Sequence, residues 1–583
     1  MPLNAQQRRE NNDPLDLLII GCGIYGVQAL RTYLSIHPTH SVLALEAGES
    51  PGGVWSKERV YPHFFTQSPL EIWEYSDKPL NLPEGEESYY QHFPAKHFAK
   101  YLEDYVDEHE FGGKSLRDRI VCNSGVKRLW KEGEVWKATT TSGGKYAAKK
   151  VIDATGLTSL ANIPQINGSE SFRGLQIHSK DFGRHSSTIL QPKNHVVVVG
   201  GGKSAGDVAY ACAKSGLKDV HWVIRKSGNG PAAYLPADAP VNKYRNANTA
   251  FHTSFMATIT GCIYTPQNWW TWFLNLTAIG RAFLGLLWMG VQSDVYGRAK
   301  YNRKDTTARE NGFANLTPDG PLFWQISSSG VNQRPDFYDT IASKVKVYRQ
   351  DIEKISPTDF TLHDDTTIKA DVIVYATGWH ETTPYFGAQA SASLGLATTI
   401  SSLPPRSADA DEVDKWTLLE KEADAKVLRR FPNLAKPPVY YKKAAGTTPF
   451  RLYRSIFPTT STSPTIAFLG RTNFANHTYN SEVQSLYAIA VFDGHIKLPS
   501  QAHMRDEVAL VNAWMKRRYP AKGQRGSFFF FDMVPYTDQL LEDLGMEGIR
   551  RERGLFGEMG SKRIKGILGD YLKRTQGEAK KNI

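Results

Sequence analysis

Cysteine is scarce: Cys22, Cys122, Cys212 and Cys262 are the only four in 583 residues, and no two form a CxxC pair. That excludes a disulfide scaffold and a dithiol redox centre such as a pyridine-nucleotide disulfide reductase needs, and it suits a reducing compartment. The histidines are scattered without ligand spacing, so no metal site is predicted. There is no Walker phosphate loop. Gly is aperiodic and heptads are absent, which excludes collagen-like and coiled-coil classes, while 41% hydrophobic and 11% aromatic residues exclude global disorder. Met1–Pro14 lacks an apolar core segment and reads as a short lead-in rather than a secretory signal, so a cytoplasmic location is expected. The length exceeds one hydrophobic core and calls for two or three domains.

The net charge is +11, from 70 Lys and Arg against 59 Asp and Glu. More than half of it lies in Arg550–Ile583, with ten basic and four acidic residues. This tail reads as one amphipathic helix with Ile564, Ile567, Leu568 and Tyr571 on its apolar face. It lacks interleaved stacking aromatics, so no nucleic-acid partner is expected. Its last four residues, Lys580-Lys-Asn-Ile583, resemble a dilysine retrieval signal, which leaves peripheral contact with the endoplasmic reticulum membrane as an alternative. One apolar run, Trp269–Val291, carries only Arg281 as a charge and is long enough to span a bilayer. Arg281 at its centre argues against a lipid-exposed span, and a lid helix pair fits at least as well.

Two segments carry chemistry. In the first, the strand-like Leu17–Ile20 runs into Gly21-Cys-Gly23-Ile24-Tyr25-Gly26 and an apolar-periodic helix, and a second strand ends in Glu46, 20 residues past Gly26. This is a complete strand–GxGxxG–helix–strand–acid unit. Gly21 permits the tight turn, Gly23 lets the backbone approach a pyrophosphate, and Gly26 lets the helix pack on the strand. The helix N-terminus faces the phosphates, and Glu46 would accept from ribose hydroxyls. In the second, His195–Val199 runs into Gly200-Gly-Gly202-Lys203-Ser204-Ala205, and the following strand ends in Arg225-Lys226. A cation stands where the first unit has its acid, so this site should select a 2′-phosphate and hence NADPH over NADH. A GxSxG match inside this turn (Gly202–Gly206) is coincidental. A tightly held flavin dinucleotide in one site and a nicotinamide that reduces it in the other is the natural meaning of such a pair.

Further along, Ala47 and Gly53-Val54-Trp55 offer bare backbone and apolar surface to a flat ligand. Ala154-Thr-Gly156 and Ala376-Thr-Gly378-Trp379 read as crossing points between domains. Phe172–Phe182 contains His178, for which a hinge role is expected. Together these ordered motifs resemble the class B flavin-dependent monooxygenases, the flavin-containing monooxygenase and Baeyer–Villiger group, over about two thirds of the chain. The element ending in Phe182-Gly183 is nearer the flavin-containing type. The Baeyer–Villiger members usually have Trp there, followed by Pro or Asp.

The resemblance implies an α/β fold of two Rossmann-like domains, an NADPH domain (166–380, with an apolar insert 227–333) inserted into a discontinuous FAD domain (1–165 and 381–583). It implies FAD and NADPH as cofactors, and oxygenation by a C4a-(hydro)peroxyflavin of a small, hydrophobic substrate with O2. N- or S-oxygenation and Baeyer–Villiger insertion both remain open, as does a flavoprotein scaffold without turnover. By the same resemblance Thr66-Gln67 stands at a Thr-Asn pair that meets flavin and nicotinamide, which makes Gln67 the catalytic candidate. Glu482, in Asn480–Gln484, falls in a flavin-contact helix. Oligomeric state is not legible.

Overall fold

The computed structural model describes residues 13–238, 243–325, 327, 331–402, 410–440 and 446–581. The lead-in up to Asn12 and the terminal Asn582-Ile583 of the dilysine motif lie outside them.

Two sheets organise the chain. The first has seven strands: β1 (Leu15–Ile20), β2 (Val42–Leu45), β3 (Ile120–Val121), β4 (Val126–Glu132), β5 (Val135–Thr140), β6 (Lys145–Asp153) and β12 (Ile466–Phe468). Its order is β3-β2-β1-β6-β5-β4, with β12 also pairing β6. The nucleotide-unit strands are parallel, Leu17 opposite Val42 and Ile19 opposite Ile152, whereas β4–β5–β6 is an antiparallel meander. The second sheet is wholly parallel. It contains β7 (Leu175–His178), β8 (His195–Val199), β9 (Asp219–Ile224), β10 (Val345–Arg349) and β11 (Val372–Tyr375), in the order β7-β11-β8-β9-β10. Leu17–Ile20 and Val196–Val199 are buried on both faces, which is why they read as unbroken apolar runs rather than alternating ones. Helices α1 (Ile24–Ile36) and α2 (Lys203–Lys214) follow the two central strands. The fold is thus α/β with two Rossmann-type sheets, β12 returning to the first sheet after the second is complete.

The insert folds as α3 (Ala247–Phe251), α4 (Ser254–Thr260), α5 (Trp269–Leu276) and α6 (Ala278–Ala299). The apolar run is therefore two helices, bent by 80° at Thr277. A Cβ on Gly280 would lie 2.0 Å from Phe273 O, so glycine lets the second helix start against the first. No single helix among the described residues is long and apolar enough to cross a membrane. The insert packs on the C-terminal half: Trp514 Nε1 donates to Gly261 O at 3.0 Å, Arg518 Nε to Thr260 O at 3.0 Å, and Trp288 meets Phe531 at 5.4 Å.

The tail departs from the expected single helix. It breaks into Gly548–Arg553, a 3₁₀ turn at Ser561–Ile564 and a helix over Ile567–Lys581. Gly554 and Gly566 at positive φ supply the breaks. Ile564, Ile567 and Tyr571 do share an apolar face, but it is buried in the main core, and Arg553 is buried on Asp538 at 2.6 Å.

Candidate functional site

Both glycine turns are built alike. Gly21 (φ +91°) and Gly200 (φ +138°) hold conformations open to glycine, and a Cβ on either would meet the carbonyl oxygen of Ala154 (3.0 Å) or Ala376 (2.2 Å). The two Ala-Thr-Gly segments thus back the two turns. Helices α1 and α2 begin at Gly23 and Gly202 with no side-chain cap on the first turn. Each leaves backbone N–H groups and the positive end of a helix dipole for an anion. A Cβ on Gly23 would make only ordinary contact, 3.7 Å to Gly53 Cα and 4.0 Å to Gly52 O. Packing within the protein does not demand glycine there, and the bare backbone faces the cavity. Gly26 is different: its Cβ would sit 1.8 Å from Gly21 O, a packing demand internal to the fold.

One continuous cavity of about 1700 Å³ takes in both turns, more than the roughly 300–1000 Å³ of an ordinary small-ligand pocket. Of the residues singled out from sequence, Gly21, Gly23, Ile24, Tyr25, Glu46, Ala47, Gly53, Val54, Trp55, Gln67, Gly200, Gly202, Lys203, Ser204 and Arg225 line it. Five do not. Gly26 and Ala205 face the packing side of their helices, and Thr66 is buried with its Oγ1 accepting from Phe93 N. Lys226 points to solvent beyond Arg225. Glu482 lies behind the wall, accepting from Ser76 N at 2.8 Å and Ser76 Oγ at 2.5 Å. Its burial, opposed only in part by those hydrogen bonds, pushes its pKa up to about 8.

On the cavity wall the Glu46 carboxylate accepts from Cys22 N and Gly48 N, both at 2.7 Å, which fixes its orientation and leaves lone pairs for a diol. Arg225, also in the lining, stands near Ser227, whose Oγ donates to Asp351 at 2.6 Å. Tyr61, Phe64 and Trp55, all in the lining, form a parallel stack, at 4.7 and 5.5 Å with interplanar angles of 7° and 4°. Lys203 lies over the Phe64 ring at 4.6 Å and pairs with Asp207. Gln67 is tied to the insert, its backbone oxygen accepting from Asn248 Nδ2 at 2.8 Å. Asn248, Phe251 and His252 from the insert and Phe528, Phe530 and Phe531 from the C-terminal half close the remaining wall. Sequence reasoning missed these last six and Tyr61, because nothing in their local pattern distinguishes them from core aromatics.

His178 holds the connection between the sheets. Its Nδ1 accepts from Lys180 N at 3.1 Å and its Nε2 donates to Gly378 O at 3.0 Å, with Trp379 edge-on at 4.8 Å. Burial lowers its pKa. Beside it Trp379-His380 pairs antiparallel with Leu160-Ala161, so both connections cross together. Phe182 is buried against Tyr61 and does not line the cavity. A Cβ on Gly183 would lie 2.5 Å from the Arg59 backbone, which explains why no larger residue follows Phe182.

Fold and cavity bring two glycine turns of the dinucleotide-binding type into one chamber. A family model described as "Flavin-binding monooxygenase-like" matches residues 431–548, and one described as "Pyridine nucleotide-disulphide oxidoreductase" matches 18–245. The disulphide in the second name has no counterpart here, since all four cysteines are free. The chain is 31% identical to the FAD-dependent monooxygenase resA of Aspergillus sclerotiorum, over 96% of this chain and 98% of that one. It is also 31% identical to the FAD-dependent monooxygenase DEP4 of Fusarium langsethiae, over 92% and 91%. Among solved structures, OTEMO in complex with FAD and NADP superposes with a TM-score of 0.61 at 18% identity, covering 92% of this chain and 98% of that one. Open cyclohexanone monooxygenase superposes at 0.55 and 17%, covering 92% and 99%. The chain belongs to the class B flavin-dependent monooxygenases.

Proposed function

We propose that this chain is an FAD- and NADPH-dependent monooxygenase that inserts one atom of O2 into a small hydrophobic substrate. The observation that carries this is the shared cavity, into which two uncapped helix N-termini open and whose lining includes the acid Glu46 and the cation Arg225. In this reading residues 1–165 and 381–583 form the FAD domain and 166–380 the NADPH domain, which the return of β12 to the first sheet supports. The packing of 247–299 on the C-terminal half shifts the insert functionally toward the FAD side.

The α1 N-terminus and bare Gly23 backbone would hold the FAD pyrophosphate and Glu46 a ribose, while Trp55 borders the space beyond Gly53. The α2 N-terminus, Lys203 and Ser204 would hold the NADPH pyrophosphate and Arg225 its 2′-phosphate. Bound flavin supplies the capacity to take a hydride and activate O2. The chain itself would orient and exclude water: Gln67, anchored through Asn248, lines the cavity and would offer its carboxamide to the flavin and nicotinamide, and the aromatic wall keeps the cavity apolar there. Phe251, Phe530 and Phe531 make that wall fit a hydrophobic substrate.

The test is product mass spectrometry under ¹⁸O2 with NADPH and a panel of amines, thioethers and ketones. One ¹⁸O per product with matching NADPH consumption is expected, and the product identifies N- or S-oxygenation against ester formation. Flavin-containing protein that oxidises NADPH with no label in any product would overturn the reading.

A further inference from the structure

The outward face of α5 and α6 is apolar. Trp269 and Trp272 on α5 and Ile279, Phe283, Leu286 and Met289 on α6 are all exposed, Trp269 by 76% and Ile279 by 75%. On α6 they recur at steps of four, three and three residues, a single helical stripe, while Leu284, Trp288 and Val295 on the opposite side are buried. A helix apolar on both sides has a second partner to satisfy. Arg281 does not interrupt the stripe. Its Nη1 turns back to Leu276 O at 2.9 Å and Asn275 O at 3.3 Å, capping the C-terminal carbonyls of α5.

The patch extends further. Phe255 of α4, which packs in the same cluster as Trp270 and Phe273, donates its N–H to Leu555 O and meets the Phe556 ring at a tilt, 5.1 Å between centroids. Leu555 and Phe556 are exposed as well. Cations border this end: Lys243 lies 5.1 Å from the Phe556 ring, and the side chains of Arg551 and Lys562 are 78% and 69% exposed. Glu547 and Glu71 are the acids paired with them.

We propose that this surface seats in the headgroup–acyl boundary of a membrane containing anionic lipid, with α5 and α6 lying in the interface rather than crossing it. The 80° bend forbids a straight span. A second copy is the poorer occupant, because an isologous contact would bring the same basic border against itself, whereas anionic headgroups neutralise it. The seat is one helix from the cavity: Trp288, on the inner side of α6, touches cavity-lining Phe531.

Co-sedimentation of the full-length holoprotein with phosphatidylcholine vesicles, with and without phosphatidylserine, tests this without recourse to catalysis. Wild type should pellet with the phosphatidylserine vesicles and lose part of that binding at high salt. The triple variant W272Q/I279Q/L286Q should bind about tenfold less, and L418Q, an equally exposed apolar change elsewhere, should bind as wild type. K243E/R551E should weaken binding at low salt only. Absence of vesicle binding at low salt overturns the proposal. So does equal binding by the triple variant, or a wild-type dimer that the triple variant dissolves while neither form binds vesicles.

Discussion

The two glycine-rich units repeat one device and differ at the positions that, in the proposed function, choose the ligand. Both end a buried strand in a left-handed glycine, back it with an Ala-Thr-Gly carbonyl and open an uncapped helix toward one cavity. They diverge at the third small position and at the end of the next strand. In the first unit Gly26 is forced by Gly21 O at 1.8 Å; in the second, Ala205 fits and the tight spot moves to Gly206, where a Cβ would meet the Tyr234 ring at 2.7 Å. Glu46 against Arg225 is the other divergence. The glycine turn is common to both, and in the proposed function the charge at the strand end is what separates the two nucleotides.

The largest effect expected is at Gly26. G26A places a methyl group inside a carbonyl contact and should cost 3 kcal/mol or more, at about the upper end of overpacking penalties. The corresponding change in the second unit, A205G, should cost only about 1 kcal/mol of helix propensity. Melting temperatures with the flavin absorbance ratio would show it, and equal losses would dissolve the distinction. G23A breaks the comparison differently, since its Cβ meets ordinary space in the protein. It should melt close to the wild-type apoprotein yet retain no flavin.

pH separates the two regions next. Glu482, packed beside the first unit, has its pKa raised from 4.5 to about 8 by burial, with Ser76 opposing in part. Its contribution to stability is therefore fully present below pH 4.5 and is lost as pH rises through 8. E482Q should match wild type at acid pH and exceed it by pH 9, by on the order of 3–5 kcal/mol. In the second sheet Asp219 shifts the other way. Partial burial works to raise it, but the hydrogen bond from His195 and the charge and hydrogen bond of His221 outweigh this and hold it at about 2. What it contributes is present above pH 3.8 and fades as pH falls through 2. A flat stability difference between E482Q and wild type across pH 5–9 would remove the buried acid from the account.

R225A should raise the NADPH KM about 30-fold, or roughly 2 kcal/mol for an exposed arginine on a phosphate, while NADH kinetics stay unchanged. Equal loss with both nucleotides would contradict a 2′-phosphate role. The smallest effect is at Gln67, which belongs to neither turn but borders the space between them. Q67A should increase hydrogen peroxide released per NADPH consumed by about three- to tenfold, an effect of about 1 kcal/mol on one branch of a partition. An unchanged coupling ratio would make Gln67 a structural residue held by Asn248.

Sequence alone determined the strand–turn–helix units, because parallel buried strands leave unbroken apolar runs and glycine is irreplaceable where φ is positive or a carbonyl stands within 3 Å. It determined the Glu46–Arg225 contrast for the same local reason, a strand end being a fixed offset from its turn. It misled at the tail, where Ile564, Ile567 and Tyr571 make a good amphipathic stripe but Gly554 and Gly566 break the helix and the stripe finds the core. It could not place Glu482, which lies outside the cavity lining, since one helical position cannot say which side of α7 (His477–Phe492), buried nearly all round, faces the cavity. Only the tertiary structure decided that Tyr61, Phe64 and Trp55 stack into one wall, that Asn248 holds Gln67, and that Phe531 separates the cavity from α6. The stack is local in sequence but needs the loop's fold to align its rings, whereas the Asn248–Gln67 contact spans 181 positions, and burial and hydrogen bonding between distant segments leave no periodic signature in either one.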